Sequence, residues 1–352
     1  MASGNPTIED VAKAAGVSRQ TVSRVINRRT NVKDTVRARV EEAIAQLGYV
    51  PNAAARRMGG ARSYLLLAVI ERGAGGAGAG ARTGRLPLDA MLLAGLDSCS
   101  SAGYHILFEQ LDTGSQQSLA QLNRALTALS PDGVILTPPL EERVDLRAAV
   151  ETRRIALECL GERMEFGHAV PGIDDGALGE AATQHLLDLG HRQIGFVTGA
   201  ADSRRSERRV AGYRRVMAQK GSRAHRHFTA DGRLGFDEAL ALAKGWLVPT
   251  IRPTAIIAET EEVALAILDV ARELEIAVPL DLSLISLEER ASLSRVQPPI
   301  SAIFQPYERL FKGCCDKLIA RAEENEEVGP SEDIEPLELI ERKSTAKAPR
   351  AV

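Results

Sequence analysis

Between residues 64 and 306 the chain repeats one pattern, a short apolar run followed by a longer stretch with helical spacing. The first runs are YLLLAVI (64–70), YHILFEQ (104–110), DGVILTP (132–138) and RIALECL (154–160). A second series follows with RQIGFVTG (192–199), TAIIAET (254–260), LSLISLE (282–288) and ISAIFQP (300–306). Runs this short and this continuously apolar suit parallel strands buried on both faces. Helices are expected between them, for instance over 179–189, 208–220 and 261–274. Strand–helix alternation in two series predicts two doubly wound α/β units.

The first 62 residues follow a different rule. Thr7-Ile8-Glu9-Asp10 has the form of a capping box, and Ile8, Val11, Ala12 and Ala15 recur with helical spacing. Gly16 permits a sharp turn, Val17 can plug the gap between helices, and Ser18 is a good N-cap for a second helix. In that helix Val22, Val25 and Ile26 form the buried side, leaving Arg19, Gln20, Ser23, Arg24 and Asn27 outside. A third helix carries Val36, Val40, Ile44 and Leu47 on one stripe and ends at Gly48. This is a helix-turn-helix arrangement, whose second helix enters the major groove. Arginine can donate twice to guanine and glutamine can pair with adenine, while Ser, Thr and Asn suit phosphates. A basic three-helix bundle with a merely solvated polar face is the plainer alternative, and the agreement of caps, turn and charge weighs against it.

Charge supports this division. Residues 1–62 hold eleven Lys/Arg against five Asp/Glu, a net +6, whereas the remainder carries −9 of the chain's −3 total. A small basic head on an acidic body fits a polyanion-binding module joined to something else. No run approaches a membrane span, and residues 1–20 contain no apolar signal-peptide core, so a cytoplasmic protein with no membrane partner is expected. Cys99, Cys159, Cys314 and Cys315 lack metal-ligand spacing and read as reduced, buried thiols. No metal or cofactor is expected. The HRH stretch (225–227) has no third ligand in sight, and Ser/His/Asp and phosphate-loop signatures are absent.

The sequences TIEDVAKAAGVSRQTVSRVIN and YVPNAAARRM closely resemble the LacI/GalR (lactose/galactose repressor) family of bacterial transcription regulators. DGVILTPPL, HLLDLGHRQIGFVTG, RRVAGY, VPLDLSLIS, PPISAIFQP and LELIERKSTA extend the resemblance over nearly the whole chain, in the family's order. It implies an all-α DNA-binding head (1–50), a hinge helix and linker (51–62), and a two-lobed periplasmic-binding-protein-like sensor (63–345) before a tail (346–352). Lobe 1 would comprise about 63–162 with 306–333, and lobe 2 about 163–291 with 334–345, the chain crossing between them near 162, 291–305 and 333.

By this resemblance Arg19, Gln20 and Arg24 read bases, and Thr7, Ser18, Thr21, Ser23 and Asn27 make phosphate or secondary contacts. The hinge would fold as two copies pair in the minor groove, with Asn52 capping and Ala55, Arg56 and Met58 at the DNA. Met58 stands where the family usually has a leucine wedge. Two copies imply a homodimer on a pseudo-palindromic operator. Lys33 replaces the family's usual serine cap of the third helix, leaving Asp34 or a phosphate to compensate.

The resemblance also places a small-molecule effector between the lobes. Arg209, three residues before Gly212-Tyr213, matches the family arginine that grips effector oxygens, and a surface arginine among Arg204, Arg205, Arg208 and Arg214 is the alternative. Thr260-Glu261 stands in place of the usual Asn-Asp, and Glu288-Glu289 in place of Asp-Asp. Each Asp-to-Glu change moves a carboxylate outward by one methylene, about 1.5 Å. Tyr307 matches a position that packs a ring on the effector, with core packing as the alternative. The Gly/Ala-rich stretch 72–87 departs from the family and reads as a slack surface loop, with a lid ordered by ligand as the alternative. These features favour an effector-controlled DNA-binding regulator, a repressor by default, over a solute-binding protein or a sugar-handling enzyme.

Overall fold

A computed structural model of the chain describes residues 6–26, 32–49, 62–72, 87–112, 114–161, 172–198, 204–220, 229–230, 236–248, 252–323 and 337–349. Asn27, the hinge residues Asn52, Ala55, Arg56 and Met58, nearly all of the 72–87 stretch, the HRH segment and the crossings near 162 and 333 lie outside the described residues. The chain divides into two compact units, Met1–Tyr64 and Leu65–Val352.

In the first unit the expected capping box opens α1 (Ile8–Ala15): Thr7 Oγ1 accepts from the Asp10 N–H, and Asp10 Oδ2 accepts from the Thr7 N–H at 2.8 Å. These bonds hold the Asp10 carboxyl below its ordinary pKa. Gly16, with φ 65°, makes the turn that only a residue without Cβ adopts freely. Ser18 then caps α2 (Arg19–Ile26), its Oγ accepting from the Thr21 N–H at 3.2 Å. Val11, Val22 and Val40 are fully buried where α1, α2 and α3 (Asp34–Leu47) meet. Two expectations for α3 need correction. Lys33 occupies the N-cap position without a side-chain cap, and Asp34 is the first helical residue rather than the cap. Leu47 is exposed, and Tyr49, beyond the terminating Gly48, takes the place in the core. The chain turns back there and buries the larger ring instead.

The second unit contains two sheets. The first has order β2-β1-β3-β4, all parallel, from β1 (Leu65–Glu71), β2 (His105–Leu111), β3 (Gly133–Leu136) and β4 (Ala156–Cys159). All seven residues of β1 are buried, as a central strand covered on both faces requires. The helices α5 (Ser118–Leu129) and α6 (Val144–Glu151) cover one face, packing Leu122, Leu126, Leu146 and Val150 against Val134 and Leu136. On the other face lie α4 (Leu88–Ser101) and α12 (Tyr307–Ala322), which returns late in the sequence to stack Phe311 on Phe108 at 5.9 Å.

The second sheet has order β10-β9-β8-β7-β5-β6. It is built from β5 (Ile194–Val197), β6 (Thr229–Ala230), β7 (Ala255–Ala258), β8 (Ser283–Ser286), β9 (Ser301–Phe304) and β10 (Glu338–Ile340). Only β10 runs antiparallel. Around it pack α7 (Asp175–Asp188), α8 (Arg204–Gln219), α9 (Phe236–Leu247), α10 (Glu261–Glu273) and the short α11 (Ala291–Arg295). Because β9 belongs to this sheet and α12 to the first, the chain crosses between Phe304 and Tyr307. Leu293 of α11 is buried in the second core, so residues 291–304 belong to the second lobe rather than to the crossing.

Candidate functional site

The exposed face of α2 carries three long polar side chains. Arg19, Gln20 and Arg24 are exposed, while Thr21 and Ser23 are half-buried between them and the core. Arg19 Nη1 reaches Glu9 Oε1 at 3.4 Å, but both side chains are more than two-thirds exposed, so this pair is weak. Ser18 Oγ lies 2.9 Å from Thr21 Oγ1 at the helix start, where peptide N–H groups point outward. A capped helix end with exposed donors and cations has the chemistry needed to meet a phosphate and present donors to base edges.

In the second unit the chain builds a buried charge network beside a small cavity. Arg205 and Arg209 lie four apart on α8 and so share one face. Opposite them Asp175 opens α7, directly after Asp174, which caps the helix by accepting from the Ala177 N–H at 2.9 Å. The two helices approach backbone to backbone. A Cβ at Gly179 would lie 2.0 Å from the Arg209 carbonyl oxygen, and one at Gly212 would lie 2.1 Å from that of Gly176. Glycine at both positions therefore brings Asp175 within reach of the α8 arginines.

Arg209 Nε donates to Asp175 Oδ1 at 2.7 Å and Nη1 to Glu259 Oε1 at 3.0 Å. Arg205 Nε donates to Asp175 Oδ2 at 3.0 Å, and its Nη2 to the Tyr307 hydroxyl at 2.5 Å. Ser206 Oγ donates to the Glu259 carboxylate at 2.7 Å. Burial works against the Asp175 charge, but Arg205 and Arg209 outweigh it and hold the carboxyl below its ordinary pKa. Since α8 belongs to the second lobe and Tyr307 opens α12 of the first, Arg205 ties one lobe to the other. The adjoining cavity, about 10 Å³, has room for roughly one water. Its walls include Leu160 and Gly161 beyond β4, Ile173 and Asp175 at the start of α7, Arg205 and Tyr307. A larger molecule would have to part the lobes or displace these ion pairs.

The five sensor residues singled out from the sequence separate here. Arg209 is buried rather than on a surface helix, and Tyr307 is linked to it through Arg205 and Asp175. Glu288 is buried and within electrostatic reach of Arg209; burial pushes its carboxyl up to about 7, against Arg290 and Arg209. Its neighbour Glu289 points elsewhere, to Arg342 at 2.5 Å. Thr260 and Glu261 are engaged away from the arginines. Thr260 caps α10, accepting from the Val263 N–H, and Glu261 accepts from the Ser292 hydroxyl. The carboxylate that meets Arg209 after β7 is Glu259, two residues before the expected Glu261.

Sequence reasoning also missed Asp175, Arg205, Ser206 and Glu141. Arg205 carried a readable signal, its four-residue spacing from Arg209. Glu141 lies in the 3-10 turn Leu140–Glu142, 3% exposed, and burial pushes its carboxyl up to about 8, partly offset by Arg205. The folded value lies above the ordinary 4.5, so the fold favours the neutral form. This contribution is complete below about pH 4.5 and declines as pH rises toward about 8. Glu141→Gln, which cannot ionise, is expected to gain on wild type by about 1–3 kcal/mol between pH 5 and pH 8. Urea unfolding at the two pH values checks this, and an unchanged gap contradicts it.

Comparisons with known proteins agree with both halves. Residues 7–52 match the model for bacterial regulatory proteins of the lacI family, and residues 183–345 match a periplasmic binding protein-like domain. Catabolite control protein A of Priestia megaterium is 29% identical, across 86% of this chain and 88% of its own. The ribose operon repressor of Escherichia coli K12 is 27% identical, across 90% of this chain and 92% of its own. Among solved structures, the lac repressor dimer bound to operator and the anti-inducer ONPF shares the fold with a TM-score of 0.78 at 23% identity, covering 97% of this chain and 100% of that one. The CelR–cellobiose complex aligns with a TM-score of 0.67 at 25% identity, covering 96% and 99%. A helix-turn-helix head and a two-lobed sensor define the class of ligand-responsive DNA-binding regulators. The chain joins a LacI-family helix-turn-helix domain to a periplasmic-binding-protein-like domain, and its relatives are repressors of that family. Among the described residues no helix is long and apolar enough to cross a membrane.

Proposed function

We propose that this chain is a transcriptional repressor which binds a pseudo-palindromic operator as a homodimer and adjusts its affinity to a small molecule held between the sensor lobes. The observation that carries the DNA-reading half is the capped helix α2, with Arg19, Gln20 and Arg24 exposed inside the segment that matches the family head. Thr7, Ser18, Thr21 and Ser23 serve the phosphates, with Asn27 and the hinge residues Asn52, Ala55, Arg56 and Met58 adding contacts from outside the described residues.

For the sensor half, Arg209 is the central polar grip, with Asp175, Glu259, Arg205 and Tyr307 around it. Paired guanidinium and carboxylate groups suit a ligand rich in hydroxyls, which both donates and accepts. The solved CelR relative holds cellobiose, and a sugar or sugar derivative is the effector class we assign here. Since Arg205 spans the lobes, a ligand that takes over its partners alters lobe closure, and closure is the two-state element that can reach the DNA head. Selection from a random duplex pool tests the reading. It should enrich two inverted half-sites bound by a dimer in light scattering; enrichment of no sequence contradicts it.

A further inference from the structure

Two guanidinium groups converging on one point make a seat for a carboxylate or a phosphate. Arg205 and Arg209 converge in this way, and the anion they hold belongs to the chain itself. Asp175 Oδ1 accepts from Arg209 Nε at 2.7 Å, while Arg205 donates to the same carboxylate through Nε at 3.0 Å and Nη2 at 3.4 Å. Asp175 and Arg205 both line the cavity, and the Asp175 side chain is 1% exposed.

The backbone that carries this carboxylate is fixed. Asp175 is the first residue of α7, and α7 meets α8 backbone to backbone at Gly179 and Gly212. An acidic effector that took over the arginines would leave Asp175 buried beside it, two like charges where there is room for little water. It would also compete with a group that is already in place and pays no cost of association. The neighbouring cations offer no easier seat. Arg204 and Arg208 act on Glu142 of the 3-10 turn, Arg290 lies 4.0 Å from Glu288, and Arg209 also holds Glu259. A hydroxyl meets no such obstacle, because it can donate to a carboxylate and accept from a guanidinium while the ion pairs stay intact.

We propose that Asp175 is a specificity-determining residue of the cleft: it occupies Arg205 and Arg209 as an internal anion, so the sensor takes uncharged polyhydroxyl ligands and excludes their phosphate and carboxylate derivatives. This rests on the reading that the cleft between the lobes is the effector site. Discrimination then comes from a repulsive group built into the site as much as from the contacts made to the ligand. Removing the Asp175 charge converts the same pair of arginines into an open anion site.

The test uses the full chain. Thermal shift and calorimetry compare glucose, galactose, ribose and cellobiose with glucose 6-phosphate, ribose 5-phosphate, glucuronate and inorganic phosphate, all at millimolar concentration. Any sugar that binds wild type should bind about tenfold or more tighter than its phosphate or acid, and inorganic phosphate should give no shift. Asp175→Asn keeps the shape and loses the charge. It should bind inorganic phosphate and the acidic derivatives about tenfold or more tighter than wild type, and adding Arg205→Met should abolish that gain. If D175N is unfolded in phosphate-free buffer, phosphate should restore its circular-dichroism spectrum. A wild type that prefers an anionic derivative overturns the proposal. So does a D175N protein that gains neither anion binding nor anion-assisted folding, or a gain that survives Arg205→Met. A D175N protein that gains phosphate through Arg205, while wild type binds none of the sugars, supports the internal anion and contradicts the sugar reading of the cleft.

Discussion

Arg209→Met is expected to destabilise the sensor by about 3–5 kcal/mol, because it removes one member of a buried ion network and leaves its partners in place. The Arg209 side chain is 5% exposed, that of Asp175 1% and that of Glu259 4%, so water cannot replace the lost guanidinium. Asp175 retains Arg205, but Glu259 loses its bond to Arg209 Nη1 while keeping that from Ser206. The geometric cost of methionine is small, since its unbranched chain follows the arginine stem. Most of the loss should therefore be electrostatic, and Arg209→Met combined with Glu259→Gln should recover about half of it. Urea unfolding of the single and double variants measures this coupling. A single variant within about 1 kcal/mol of wild type would show that the network carries little of the sensor's stability. The same variant should lose its response to any small molecule that the wild-type sensor binds.

The second large effect belongs to the DNA-reading face. Arg19→Ala and Gln20→Ala should each reduce affinity for the selected operator by about 1–3 kcal/mol, roughly tenfold to a hundredfold. Both side chains are exposed and neither supports the core of Val11, Val22 and Val40, so the unfolding midpoint should stay within about 0.5 kcal/mol of wild type. The losses should appear on the operator and be much smaller on unrelated duplex DNA. A phosphate contact weakens both about equally, whereas a base contact changes discrimination. Anisotropy titrations on the two duplexes at one salt concentration separate these cases, and an equal loss on both contradicts base reading by these residues.

The parts of this molecule that could be read from its sequence are those written in local signals. Eight strands were visible because each is a short, largely apolar run, uninterrupted in a central strand such as LLLAVI. Yet β2, expected to be buried on both faces, lies at the edge of its sheet and is half-exposed. The two strands that escaped are the outermost ones of the second sheet, β6 with two residues and β10 with three, too short to show a period. Thr7, Gly16 and Ser18 announced the head because capping and turning are decided within four residues. Leu47 was misjudged because it was read by period alone, without the chain reversal that buries Tyr49.

The sensor site was less legible for the opposite reason, since its chemistry lies in pairs distant along the chain. Arg209 stood out by its spacing from Gly212-Tyr213, but its partners come from residues 34 and 50 positions away. Nothing local distinguishes Glu259, which meets the arginine, from Glu261, which meets Ser292. Asp175 directly follows the capping Asp174, and the close approach permitted by Gly179 and Gly212 is what brings it to the arginines. Glu141 carried no sign of burial, because a charged doublet before a helix ordinarily reads as solvated surface.

The central claim is that occupancy of the cleft sets the affinity of the head for its operator. Coupling of this kind is reciprocal, so one titration reports it from either side. The most direct test is the dissociation constant of the full-length protein for its selected operator, measured by anisotropy with and without the small molecule that raises the sensor's unfolding temperature. The account predicts a change of about tenfold or more, within the usual range of coupling free energies, and its disappearance in Arg209→Met. Identical operator affinity with the cleft empty and saturated would contradict it.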